Sequence, residues 1–339
     1  MKKILCFGEL LLRMSPRTNG FWLQQHQIPV YLGGAELNVA HALAQWELPV
    51  AYCTALPNNF LADEIIQQLK TDGIETAQIQ RYGKRIGLYF LEQGTDVKNK
   101  NVYFDREYSS FASIQPGMID WEKVLESIQW LHFSAIVPAL NDRLVKVCEE
   151  MLQVAIKKNI VISLDLNFRA SLWQENRVPA NIVPVLAKYC HVIMGNIWSA
   201  NTLLGAPLQI TGKETMHKSA YLYHARLTAG YILQQFPQCH TVANTFRFDT
   251  FNDGIKYYGT LFKEQQLFVS SEMHSNNVKD KVGSGDCFMA GLIFGFSHGM
   301  TPQNTLNFAA AAAFGKLHET GDTTQQTISD IHKIIQQYV

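Results

Sequence analysis

At 339 residues and 38.4 kDa the chain has length for one large α/β domain or two ordinary ones. Its 47% hydrophobic and 17% charged residues supply a packed core and exclude a disordered chain, and its 29 basic against 29 acidic residues argue against nucleic acid or an anionic membrane as the main partner. Six scattered cysteines without a C-x-x-C pair argue against a disulfide framework or a zinc site and fit buried, reduced thiols in a cytoplasmic protein.

In chain order, Met1-Lys2-Lys3 followed by apolar residues mimics a signal peptide, but Glu9 and Arg13 interrupt the run early. The stretch from about Ile4 to Leu12 therefore reads as a first strand. Gly33-Gly34 precedes a helical pattern in which Leu37, Ala40, Leu43 and Ala44 share one face, and Asn38 stands in its second turn. Those two glycines serve either a tight strand-to-helix turn or a ligand lying over the backbone, within reach of Asn38. Arg85 to Leu91 and Asn101 to Phe104 pair as a hairpin across a polar turn, Gln93 to Asn99.

Residues of about 10–32 and 85–113 carry strand residues without intervening helices. They form either a small antiparallel lid or an extra hairpin at the edge of the main sheet. Elsewhere strands alternate with helices: strands at Trp130 to Val137, Ile160 to Leu166 and His191 to Met194, and a helix from about Asn141 to Lys158. Such alternation predicts a mostly parallel sheet covered by helices on both faces. No apolar run has the length of a membrane span.

The most informative stretch is Gly283-Ser284-Gly285-Asp286, followed by Phe288, Met289, Leu292, Ile293 and Phe296 at helical spacing. Glycines at a helix N-terminus let an anion approach unpaired N–H groups at the positive end of the dipole. Asp286 beside such a cradle can accept the proton of an attacking hydroxyl, or it can simply cap the helix. The third glycine of a dinucleotide fingerprint and the Gly-Lys-Ser/Thr of a Walker A loop are both missing.

Gly33-Gly34…Asn38 and Gly283-Ser284-Gly285-Asp286, about 250 residues apart and in this order, resemble the paired motifs of the ribokinase (PfkB) family of carbohydrate kinases. The opening Gly8 to Arg13, the lid segment Arg85 to Tyr89, and Leu164 to Arg169 with Leu172-Trp173 are most similar to 2-keto-3-deoxygluconate kinases. The resemblance implies one ribokinase-like three-layer α/β/α domain over residues 1–339 with a β lid, and transfer of the ATP γ-phosphate to a sugar or sugar acid. Asp286 would be the base and Gly283, Ser284 and Gly285 the anion cradle. It implies sugar contacts from Gly33, Gly34, Asn38, Tyr89, Arg106, Arg169 and Asp322.

ATP with Mg²⁺ would lie near Asn167, Asn196, Thr245, Gly283 and Gly285, with no dedicated protein metal site. A homodimer through the lid is also implied. Three positions depart from the pattern: Ser199 stands where the family commonly has Glu, Thr245 to Asp249 lacks the glycines of a nucleotide loop, and Phe104 replaces a lid tyrosine beside Tyr103. A neutral ketose such as fructose as substrate, or a weakly catalytic sugar-binding regulator, are the alternatives these changes leave.

Overall fold

The computed structural model describes residues 2–16, 22–24, 26–93, 102–174, 176–209, 217–250 and 254–338. Its main sheet runs in the order Gln266–Val269, Ile255–Lys263, Thr241–Asp249, Val192–Met194, Val161–Asp165, Ile128–Ser134, Lys3–Phe7, Val50–Cys53 and Ile74–Glu75. From Thr241–Asp249 to Ile74–Glu75 every neighbouring pair is parallel. Beyond it the strands Ile255–Lys263, Gln266–Val269 and Met273–Ser275 add an antiparallel edge.

The layering follows from the period of two along a strand. In Lys3–Phe7, Ile4 and Cys6 enter one apolar cluster with residues of the helices Ala35–Gln45, Ser284–Ser297 and Pro302–Lys316. Leu5 and Phe7 enter a second cluster, with residues of the helices Asp142–Lys157 and Pro179–Ala187. All four side chains are fully buried, each contributing about 1.5–3 kcal/mol of burial energy. A strand covered on both faces is apolar throughout, which is why these strands read as continuous runs. All six cysteines are buried and unbridged.

A separate four-stranded sheet, in the order Val30–Gly33, Leu11–Met14, Gly87–Phe90 and Tyr103–Asp105, occupies the segments where the lid is expected. It shares no strand with the main sheet, so the edge-hairpin alternative falls. Its outer pairings are antiparallel, and its central pair, Leu11–Met14 with Gly87–Phe90, is parallel. The polar turn after Gln93 lies in residues 94–99, outside the described residues.

Two expected strands have different ends. The first is two strands: Lys3–Phe7 stays in the main sheet, while Leu11–Met14 crosses to the lid. The break is at Gly8, where an added Cβ would collide with the buried Glu36 carboxylate. The strand expected to reach Val137 ends at Ser134, because Ser134 N–H donates to Glu36 Oε1 (2.9 Å) and its hydroxyl accepts from Ile136 N–H (3.2 Å), starting the helix Ile136–Leu140. The helix expected over Asn141 to Lys158 is Asp142–Lys157, with the Asn141 side chain as its N-cap. No helix among the described residues is long and apolar enough to cross a membrane.

Candidate active site

The helix Ser284–Ser297 is apolar nearly all round and buried from Asp286 to Gly295, so its N-terminus opens inside the protein, between body and lid. Gly283 is its N-cap, with φ +79. An added Cβ there would also strike the Asp322 carbonyl oxygen, so this position admits glycine alone. Gly285 differs: nothing lies within 4 Å of an added Cβ, and the residue lines the cavity. Packing does not demand a glycine at 285, and its lack of a side chain leaves the first-turn N–H groups open to the cavity. Gly285→Ala is therefore expected to leave the melting temperature unchanged or raised while lifting the KM for ATP at least tenfold, read by thermal denaturation beside steady-state kinetics.

Asp286 stands at the third helical position, behind the Gly283 cap, so the capping alternative falls. Its Oδ2 accepts from Asn38 Nδ2 at 2.7 Å, across 248 residues of sequence. Burial pushes its carboxyl up to about 8; the Asn38 bond opposes the rise, nearby Asp165 adds to it, Arg169 opposes it and Glu36 adds again. A carboxylate so poised takes a proton readily when its surroundings favour the charged form only weakly. Asn38 Oδ1 is buried and has no hydrogen-bond partner among the described residues, an acceptor beside the base with room for a ligand hydroxyl.

Gly34, Asn38, Tyr89, Arg106, Asn167, Arg169, Asn196, Thr245, Gly283, Ser284, Gly285, Asp286 and Asp322 all line one cavity. Gly33 does not. It sits behind the cavity wall, where an added Cβ would meet Asp322 and Tyr89, and it supports those two side chains from the rear. Gly34, at φ +135 against the Glu9 carbonyl, is required by the backbone itself.

Several of these side chains already have partners. Arg106 is buried and gives both Nε and Nη2 to Glu9 Oε2, each at 2.7 Å, so it is not an exposed lid charge. Ser109 donates its hydroxyl to the other oxygen of Glu9. The Tyr89 hydroxyl donates to Asp322 Oδ1, and Phe104 stacks on the Tyr89 ring at 5.8 Å. Asp322 is pushed up to about 6 by burial, against the pull of Arg13. Asn196 caps the helix Ile197–Leu204 by accepting from Ser199 N–H (2.7 Å). Arg169 donates Nη1 to the Phe168 carbonyl (3.2 Å).

Sequence reasoning passed over Glu9, Glu36, Trp198, Arg247 and Lys281, which line the same cavity. The available signal was a charge inside an otherwise apolar run, as at Glu9 and Glu36. Burial raises the Glu36 carboxyl to about 7. Arg247 and Lys281 stand on the strand Thr241–Asp249 and in the loop before Gly283; Arg247 Nη1 donates to the Lys281 carbonyl at 3.3 Å.

The cradle, open at Gly285 and accompanied by Arg169, Arg247 and Lys281, fits the phosphates of a nucleotide. Among the described residues no group of three or more His, Cys, Asp and Glu could hold a metal ion. Asp165 lines the same cavity, and its charge acts on the neighbouring Asp286.

A buried carboxylate beside an anion cradle is an arrangement that can take a hydroxyl proton while phosphate oxygens are held on backbone N–H groups. The chain belongs to the pfkB family of carbohydrate kinases, whose family model matches residues 1–328. Over 99% of this chain and 100% of the other, the structure superposes with a TM-score of 0.89 on 2-dehydro-3-deoxygluconokinase from Thermotoga maritima, at 33% identity. It is similar to 2-dehydro-3-deoxygalactonokinase of Haloferax volcanii, 24% identical over 98% of this chain and 96% of the relative. Likewise, 2-dehydro-3-deoxygluconokinase of Bacillus subtilis is 22% identical over 88% of this chain and 85% of the relative.

Proposed function

We propose that this carbohydrate kinase transfers the γ-phosphate of ATP to a hydroxyl of 2-keto-3-deoxygluconate or a closely similar sugar acid, with Asp286 as general base. The observation that carries the reading is the Asn38–Asp286 pair at the open end of the cradle: a hydrogen-bonded, buried carboxylate next to an unsatisfied acceptor. The relatives named for 2-keto-3-deoxy sugar acids support the substrate class.

In this reading the sugar lies between Asn38, Tyr89, Arg106 and Asp322 with the accepting hydroxyl at Asp286. Asp286 takes the hydroxyl proton as the oxygen attacks phosphorus. The first-turn N–H groups at Ser284 and Gly285 bear the charge that develops on the phosphoryl oxygens, and Arg169, Arg247 and Lys281 balance the nucleotide phosphates. Bound Mg²⁺ would add charge neutralisation at those phosphates.

One observation favours a neutral ketose as the alternative substrate: the Arg106 charge is already matched by Glu9. A sugar carboxylate would then be read by the remaining Arg106 nitrogen together with Arg169.

Two further parts of the reading are a cytoplasmic location, which suits six unbridged thiols, and a homodimer through the lid. The face of the small sheet opposite Arg13, Tyr31, Tyr89 and Phe104 carries Met14, Val30, Phe90 and Tyr103, with Val30 and Tyr103 52% and 65% exposed. An apolar sheet face of this kind is commonly covered in an oligomer.

The test is coupled ADP release with Mg-ATP and a panel of 2-keto-3-deoxygluconate, fructose, ribose and adenosine. ADP release with the keto-deoxy acid alone is the expected result. Release with fructose in its place would discard the carboxylate reading.

A further inference from the structure

One buried ion network lies outside the mechanism described so far. Arg13, on the central lid strand Leu11–Met14, is fully buried. It pairs across that sheet with Tyr31 and Tyr89, and Tyr89 pairs with Phe104, so the four side chains form one row on one lid face. Arg13 lies over the Tyr31 ring (4.7 Å) and is ion-paired with two carboxylates: Nη2 donates to Asp280 Oδ2 at 2.7 Å, and Nε lies 3.0 Å from Asp322 Oδ2 without hydrogen-bond alignment.

Neither carboxylate belongs to the lid. Asp280 opens the loop leading into the cradle: its Oδ1 accepts from Val282 N–H (3.2 Å) and its Oδ2 also accepts from Gly321 N–H (3.3 Å). Asp322 presses its backbone carbonyl against Gly283 and takes the Tyr89 hydroxyl on its side chain. The buried Lys316 ammonium donates to the Gly321 carbonyl at 2.8 Å and is the second cation here. Two buried cations thus stand near two buried carboxylates, Arg13 ion-paired with both and Lys316 held by the Glu319 and Gly321 carbonyls. Without Arg13, one ammonium would face two buried carboxylates, and the loops bearing Asp280 and Asp322 could keep their charges only by opening to solvent.

We propose that Arg13 is a positioning residue that makes the geometry of the phosphate cradle depend on the small sheet, in which its strand pairs with the strand carrying Tyr89. Arg13 does not line the cavity. It acts through Asp280 on the chain entering Gly283, and through Asp322 on the wall behind it. The kinetic side of this inference rests on the kinase reading above, and the structural side does not.

The experiment compares full-length wild type with Arg13→Lys, which keeps the charge and loses the two-armed geometry. Amide hydrogen exchange, with no ligand added, is expected to quicken at least tenfold in segments 280–286 and 317–322 and to stay unchanged in the core strand Val161–Asp165. With Mg-ATP and the sugar that the ADP-release panel identifies, kcat is expected to fall tenfold or more while the sugar KM moves less than threefold. Unchanged exchange in both segments, or a raised sugar KM with kcat retained, overturns the proposal. If Arg13→Lys does not fold, Asp280→Asn carries the same expectations, since it removes the charge that Arg13 acts on and keeps the side-chain shape. If no sugar on the panel releases ADP with wild type, the substrate reading falls, and the exchange comparison still decides the role of Arg13.

Discussion

Replacing Asp286 with Asn is expected to lower kcat by about 10²-fold or more while making the fold more stable. The two effects share one cause. The position pushes the Asp286 carboxyl from its ordinary value of 3.8 up to about 8, chiefly by burial. A group whose folded pKa lies above its unfolded value contributes stability that is fully present below the unfolded pKa. That contribution is lost as pH rises through the folded one. Wild type therefore loses stability between about pH 4 and 8, and the non-titrating Asn variant does not, while the bond from Asn38 keeps an oxygen acceptor. The difference at pH 8 is expected to be about 2 kcal/mol or more in favour of the variant. Denaturant unfolding at pH 5 and pH 8 measures it; equal stability at both values would contradict the burial argument. The same ionisation gives kcat/KM a rising limb near pH 8 in the wild type, and the variant lacks it.

The second large effect is at Arg106. Arg106→Ala should raise the KM for a sugar acid by about 10–100-fold, the worth of a hydrogen bond to a charged group, and leave the KM for ATP within a few-fold. It should also destabilise the fold by about 3 kcal/mol, because Glu9 is left as a buried carboxylate with only the Ser109 hydroxyl as a described partner. Glu9→Gln separates the two consequences: it removes the buried charge and keeps the guanidinium. An Arg106→Ala variant whose KM for the acid equals the wild-type value would end the carboxylate-reading role and favour the neutral ketose.

How legible these features were depends on how local their cause is. The cradle and Asp286 could be read because two glycines, an acid and a helical apolar period lie within fourteen consecutive residues. The layered sheet could be read because strands buried on both faces are apolar runs. The Arg13–Asp280 pair, separated by 267 residues, and the Arg106–Glu9 pair, separated by 97, could not, since each forms only where lid and body meet. The first strand was misjudged for a related reason. Its apolar period continues through Leu10 to Leu12, and only the packing of Gly8 against Glu36 shows that the chain changes sheets there. Gly33 is expected as a ligand contact from its place in the paired motif, and it does not line the cavity. Its hydrogen faces Asp322 and Tyr89, a tertiary reason that no neighbouring residue reveals.

Transfer of label from [γ-³²P]ATP to 2-keto-3-deoxygluconate, by wild type and by Asp286→Asn side by side, tests the central claim most directly. Labelled sugar phosphate from the wild type, with a rate at least 10²-fold lower from a folded variant, is the predicted result. Label appearing only as inorganic phosphate, or equal transfer by the two proteins, would contradict it.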